Sequence, residues 1–335
     1  LVPVYLNTFY RSHSKNIMKS RQYSPSTTSS IRSVRHGIAW DVLGIPEYQH
    51  PVLEYNGCLN MMKAAIMQVN IVNTVSPSYA MEIHDPWFSH GLDQFEHQGD
   101  RVIGILNGID IKDNDPKTDE NIYKNYDAKH IEDKKVNKLE LMKEMGLEPD
   151  ENRMLIGMVS RMASHKGLDL VKYIFHDLMR DNVSVVILGS GEEVYENFFR
   201  EMQNRYPGRV AVKIGFIPSL SKKIYAGADA FLMPSKSEPC GLAQMVAARY
   251  GTLPIVRETG GLKDSIHDMG DKNGNGFTFK TYNAHDMLGA IQRAEGLFGN
   301  KPLWKKAMLS AMESDFSWNK SAGDYVNMYK MILKD

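Results

Sequence analysis

The sequence predicts an α/β architecture of two domains with parallel sheets, and three observations carry that expectation. From about residue 100 onward, short β-branched runs alternate with longer helical stretches, the pattern of parallel strands joined by crossover helices. The apolar runs end in Gly, Ser or Pro, where a ligand-binding loop begins in a doubly wound sheet. A chain of 335 residues with 42% hydrophobic content is long enough for two ordinary cores.

The opening LVPVYLNTFY has the spacing of an amphipathic helix, and a start at Leu1 implies sequence upstream. KSRQYSPSTTSSIRSVRHGIAW follows as a Ser-rich polar run, for which a flexible loop is the plain expectation. LEYNGCLNMMKAAIMQV reads as a helix, IVNTVS as a strand, and residues 76–79 as the start of a further helix. Residues 1–107 therefore read as the tail of an α/β unit whose first strands are not in the chain. The stretch 110–150 is highly charged with a late helical period, and reads as a solvated linker followed by a surface helix.

Beyond RVIGILNG and this connector, the strands MLIGMVS, VSVVILGSG, VAVKIGF, DAFLMPS, LPIVRE and GFTF follow in order, with helices over about 166–180 and 242–250. Together they predict one doubly wound domain over about 108–310, and a last helix over about 320–333.

Composition narrows the function. Lys+Arg and Asp+Glu are equal at 40 each, so nothing draws the whole chain to nucleic acid or an anionic membrane, and an anion site has to be built locally. Cys58 and Cys240 are the only cysteines, which supports neither a disulfide framework nor a zinc site and fits a reducing cytoplasm. No apolar run reaches the roughly 18 residues of a membrane helix. The 11 histidines show no HxH or HExxH pattern, and most Met and Trp residues fall at core spacing.

Four places can carry chemistry. Arg161 and Lys166 follow MLIGMVS, where two cations can neutralise a diphosphate, although such a pair can equally be solvated. Glu238 precedes a helix opening at Gly241 and Leu242, whose backbone N–H groups can bind phosphate or sugar oxygens; a capping carboxylate and a packing glycine are the plain alternative. Gly189 and Gly191 in GSGEEV make half a dinucleotide fingerprint, without the remaining glycine or the acidic residue that a nicotinamide site needs. Phe216 closes VAVKIGF and is either a core residue or a platform for a nucleobase.

SRMASHKGLDLV, GADAFLMPSKSEPCGLAQ, YGTLPIVRETGGLKD and DFSWNKSA, with LNGID, TVSPSYA and LVPVYL, are similar in order and spacing to the bacterial glycogen synthases and plant starch synthases. The resemblance covers nearly the whole chain. It implies a GT-B fold, two Rossmann-like domains facing across a cleft, with the first incomplete here and the terminal helix, 311–335, returning to it. It also implies a retaining glucosyltransferase that extends an α-1,4-glucan from ADP-glucose, with no metal or other cofactor. Arg161 and Lys166 match the cations on the donor diphosphate, and Glu238 the carboxylate on the transferred glucose. Cys240, Gly241 and Leu242 match the loop whose backbone meets sugar and phosphate, and Phe216 an aromatic near the base. Thr259, Gly260 and Gly261 of the ETGGL string and Asn107 of LNGID complete the implied substrate-binding set.

The chain departs from the family in two places. The Lys-x-Gly-Gly-Leu loop and the His-Asp-Trp-His string are absent, and where the family has a strand ending in a catalytic histidine this chain has the Ser-rich run. Back-translating RQYSPSTTSSI with chosen codons and shifting the frame spells TVFTIHNIEY, so residues about 19–40 are expected to be a frame-shifted translation, and His36 is not matched to the family's histidine. The expected alternatives to an active synthase are a non-catalytic nucleotide-binding fragment and a GT-B transferase with another acceptor. Phe216 would stack on adenine or uracil alike, so it does not separate ADP-glucose from UDP-glucose.

Overall fold

The computed structural model describes residues 20–22, 44–89, 91 and 102–334. The expected helix over 1–10, and all of the 19–40 stretch except Ser20–Gln22, lie outside the described residues. Contacts divide the chain into two units, residues 1–107 with 321–335 and residues 108–320.

In the first unit, β1 (Ser20–Gln22), Ile71–Thr74 and Val102–Gly104 form a parallel sheet with Ile71–Thr74 in the middle. The expected helix across LEYNGCLNMMKAAIMQV is only half there. After α1 (His50–Leu53), β2 (Glu54–Tyr55) and β3 (Cys58–Leu59) pair antiparallel around Asn56 and Gly57, whose φ values of 50° and 75° lie in the left-handed region. An Asn-Gly pair in this conformation is the two-residue hairpin turn whose twist matches the flanking strands.

The helix α2 (Met61–Met67) starts only where the Asn60 side chain accepts from Met62 N and Lys63 N at 3.0 Å each. It leads into β4 (Ile71–Thr74) and α3 (Pro77–Glu82), the latter capped by Ser76, which accepts from Tyr79 N at 3.0 Å. After α4 (Pro86–Ser89) comes β5 (Val102–Gly104). Ile66, Val69, Val72, Tyr79 and Ile83 form this unit's main apolar cluster.

The second unit corrects the reading of the connector. Ile122, Tyr126 and Ile131 are buried, Tyr126 donates to Tyr250 O at 2.7 Å, and Tyr250 donates to Asp119 Oδ2 at 2.5 Å. The helix α5 (Lys134–Glu144) buries Lys134, Asn137, Lys138, Leu141 and Met142. Lys134 Nζ donates to Ala226 O and Thr252 Oγ1 at 2.7 Å and to Tyr225 O at 3.3 Å, and burial lowers its pKa to about 7. Lys138 Nζ donates to Arg153 O and pairs with Asp229 Oδ2, both at 2.7 Å. Most of the connector's charged residues are exposed, as a solvated stretch would be, but Lys134 and Lys138 are folded inward, because each long aliphatic stem can be buried once its ammonium finds carbonyls or a carboxylate.

Its sheet follows in chain order: β6 (Met154–Val159), α6 (Leu168–Leu178), β7 (Val183–Gly189), α7 (Glu193–Arg205), β8 (Val210–Ile214), α8 (Pro218–Gly227) and β9 (Ala230–Met233). It continues through α9 (Ala243–Arg249), β10 (Leu253–Arg257), α10 (Gly260–Ser265), β11 (Phe277–Phe279), α11 (Ala284–Phe298) and α12 (Lys301–Glu313). The six strands lie in the order β11-β10-β9-β6-β7-β8, all parallel. The α/β fold with a parallel sheet is the one expected. Every residue of β7 and β9 is buried, as helices on both faces require.

The chain runs outward from β6 through β7 to β8, then returns to β9 on the other side of β6. The loops after β6 and β9 therefore diverge at a topological switch point, the place in such sheets where ligands bind.

The expected helix over 166–180 is interrupted: a 3₁₀ turn, Ser164–Lys166, is separated from α6 by Gly167 at φ 72°. The last helix, α13, spans Trp318–Lys334, and from Ser321 on it counts with the first unit, where Ser321 Oγ donates to Leu106 O at 2.5 Å. Core spacing fits Trp304, which packs edge-on to Phe298 at 5.3 Å, but Trp87 and Trp318 are exposed. Among the described residues no helix is long and apolar enough to cross a membrane.

Candidate active site

At the switch point the loops after β6 and β9 are locked together. A Cβ on Gly167 would lie 1.9 Å from Pro234 O, so only glycine permits the approach, and Lys236 N donates to His165 O at 2.9 Å. This brings Lys166 Nζ to 2.6 Å from Glu238 Oε2, which also accepts from Ser235 Oγ at 3.1 Å. The side chains are 17% and 10% exposed. Glu238 is thus not a helix cap: its carboxylate faces a cation from another loop. A charge-assisted bond this well shielded is strong, and removing either partner leaves a largely desolvated charge behind.

The loop after β10 supports the same turn from below. Thr259 is buried, and Gly260, at φ 43°, lies so close that a Cβ there would be 2.1 Å from Glu238 O. A Cβ on Gly261 would meet Cys240 O at 2.2 Å, and Gly261 N donates to Glu238 O at 3.1 Å. Thr259, Gly260, Gly261 and Cys240 are therefore packed into the foundation of the Glu238 turn. Arg257, at the end of β10, donates to the carbonyls of Ser235 and Lys236. Neither Ser235 nor Arg257 stands out in the sequence, since each acts through an oxygen on another segment of the fold.

The remaining candidates lie around this centre or apart from it. Arg161 is exposed just past β6 and has no ion pair among the described residues. Between the two cations sits His165, whose pKa is lowered first by burial and then by Lys166 and Arg161, so the imidazole favours its neutral form. Leu242 is 48% exposed ahead of α9, while Gln244 Nε2 folds back onto Gly241 O at 3.0 Å and Cys240 O at 3.1 Å. The turn with Gly189 and Gly191 packs on the loop after β6, with Met162 N donating to Ser190 O at 2.9 Å and Glu192 N to Met162 O at 2.6 Å. Phe216, just past β8, is 90% exposed, which overturns the core alternative and leaves its ring faces open. Asn107 belongs to the first unit, where its buried Oδ1 accepts no hydrogen bond among the described residues. Among the described residues no group of three or more His, Cys, Asp or Glu side chains gathers as a metal site would.

Comparison with known proteins gives the class of this doubly wound unit with its cation–carboxylate pair at the switch point. The family model described as glycosyl transferases group 1 matches residues 143–296, and the starch synthase catalytic domain model matches residues 1–97. The glycogen synthase of Kosmotoga olearia is 40% identical over 343 aligned positions, covering 99% of this chain and 70% of that protein. The glycogen synthase of Anoxybacillus flavithermus is 46% identical over 284, covering 84% of this chain and 59% of that one. Among solved structures, the catalytic domain of starch synthase IV from Arabidopsis thaliana bound to ADP and acarbose aligns with a TM-score of 0.79 at 34% identity, covering 84% of this chain and 59% of that chain. The chain belongs to the glycogen and starch synthase family of glycosyltransferases, and its fold is of the GT-B class.

Proposed function

We propose that the chain is the larger part of a retaining glucosyltransferase that moves glucose from ADP-glucose to the end of an α-1,4-glucan. The observation that carries this reading is the Lys166–Glu238 contact of 2.6 Å at the switch point of a glycosyltransferase sheet. Departure of ADP concentrates negative charge on the diphosphate. Arg161 and Lys166 balance it, with no cofactor, and N–H groups in the turn after Cys240 assist. Glu238 keeps Lys166 oriented until the diphosphate arrives, then takes a hydroxyl of the transferred glucose. Phe216 stacks on the base. The relative solved with ADP and acarbose supports a nucleotide and a glucan-like ligand as the partners. A reducing cytoplasm is the compartment that fits a chain with only two cysteines.

The chain spans 59–70% of the length of these relatives, which favours one second reading, a nucleotide-binding piece without transfer activity. Two assays on this chain separate them: calorimetry with ADP, and transfer of labelled glucose from ADP-glucose to glycogen. Binding with transfer, both lost in Lys166→Ala and transfer lost in Glu238→Ala, is the expected result. Binding without transfer identifies the second reading. Unchanged transfer in both variants would refute the site.

A further inference from the structure

Glu238 is fixed by more than its contact with Lys166. Arg257 reaches from the end of β10 to the neighbouring loop, where Nε donates to Ser235 O at 2.9 Å and Nη2 to Lys236 O at 2.5 Å. These carbonyls begin the turn that carries Glu238. Ser235, 1% exposed, directs its hydroxyl to Glu238 Oε2 at 3.1 Å. The guanidinium also lies 5.7 Å from the centre of the Tyr282 ring, and Tyr282 donates to Asp169 Oδ1 at 2.5 Å. Asp169 is in the first turn of α6, immediately beyond the loop of Lys166.

These contacts form a closed circuit. It leaves the loop of Lys166 at Asp169, passes through Tyr282 and Arg257, returns through Ser235 to Glu238, and is closed by the Lys166–Glu238 bond. Both donors to Glu238 converge on Oε2, so Oε1 has no hydrogen-bond partner among the described residues. The circuit thus holds one carboxylate oxygen and leaves the other for a ligand.

We propose that Arg257 is a positioning residue for the transferred glucose: through Ser235 and the backbone of residues 235–236 it sets the direction of Glu238 Oε1, while the Tyr282 ring steadies the guanidinium plane. The proposal rests on the donor-site reading above. Arginine suits the task because a planar fork donates along two directions at once and stacks on a ring, whereas an ammonium is a point charge on a flexible stem.

The test compares two ligands. ADP lacks the glucose, so the ratio of the dissociation constants of ADP and ADP-glucose isolates what the protein does to the sugar. Both are titrated into the chain and into Arg257→Lys, Ser235→Ala and Glu238→Gln, with melting curves confirming a folded state. ADP affinity should stay within about threefold in Arg257→Lys and Ser235→Ala, while the ratio shifts against ADP-glucose by about tenfold, the size of one lost hydrogen bond to a charged group, in the same direction as in Glu238→Gln. A generally loosened fold would weaken both ligands together and leave the ratio in place. If Glu238→Gln moves the ratio and the other two do not, the proposal is overturned alone; should Arg257→Lys fail to fold, Ser235→Ala decides. If the unsubstituted chain does not bind ADP, or Glu238→Gln leaves the ratio unmoved, the donor-site reading fails and the proposal with it.

Discussion

Replacing Gly260 by alanine adds one methyl group at the tightest point beneath the Glu238 turn. That Cβ would sit 2.1 Å from Glu238 O and 3.0 Å from Glu238 C. Carbon and oxygen settle near ~3.3 Å, so the turn has to withdraw by about 1 Å. The neighbouring bond from Gly261 N to Glu238 O, 3.1 Å long, is the first to be lost, at about 1 kcal/mol. Holding an alanine at the φ of 43° costs a further ~1–2 kcal/mol. The expected destabilisation is therefore ~2–3 kcal/mol, read as the change in free energy of urea unfolding followed by tryptophan fluorescence. Transfer activity should fall further than stability, by about 100-fold, because a displacement of about 1 Å at a reacting centre has that effect. An unfolding free energy within about 0.5 kcal/mol of the unsubstituted chain, the range of an inconsequential surface change, would refute the reasoning whatever the activity.

Two further outcomes follow from the same structure. Lys134 has a folded pKa of about 7 against 10.5 when exposed. Between those values the unfolded chain holds a proton that the folded one has released, so this residue makes stability rise with pH from about 7 to about 10.5, by at most ~5 kcal/mol. Lys134→Met should flatten that rise, and parallel stability curves from pH 7 to 10 in the two proteins, measured in urea, would contradict it. Phe216→Ala should weaken ADP binding by about tenfold, within the ~1–3 kcal/mol of base–aromatic stacking, and leave the unfolding midpoint in place because the ring is 90% exposed; equal ADP affinity would remove Phe216 from the site.

What the sequence made legible was whatever the chain encodes locally. Strands such as MLIGMV and VSVVILG are buried on both faces, so they read as unbroken apolar runs, and the loops after them could be placed before any contact was known. Arg161, Lys166 and Glu238 were singled out as candidates for that reason. The hairpin at Asn56 and Gly57 was misread although its turn signal is present, because the apolar spacing of Met61–Met67 extends the helical pattern backward across it. The connector was misread because net polarity does not say whether a lysine's ammonium meets water or the carbonyls of Tyr225 and Ala226. Ser235 and Arg257 were out of reach in a stricter sense. Their partnership depends on β9 lying beside β10 in the register Ala230 to Leu253, which no short stretch of sequence specifies.

The inward-folded connector also affects how this protein should be cut. The glycosyl transferase model begins at residue 143 and ends at 296, inside α5 and inside α11. A truncation made there would discard Ile131, Leu141, Met142 and Trp304, all buried, together with the lysines that tie α5 to the strand ends, and would present their apolar seats to water. Such a fragment should precipitate or bind hydrophobic dyes. A fragment spanning residues 108–320 keeps those seats covered, and is the better starting point for measuring nucleotide binding by the second unit in isolation.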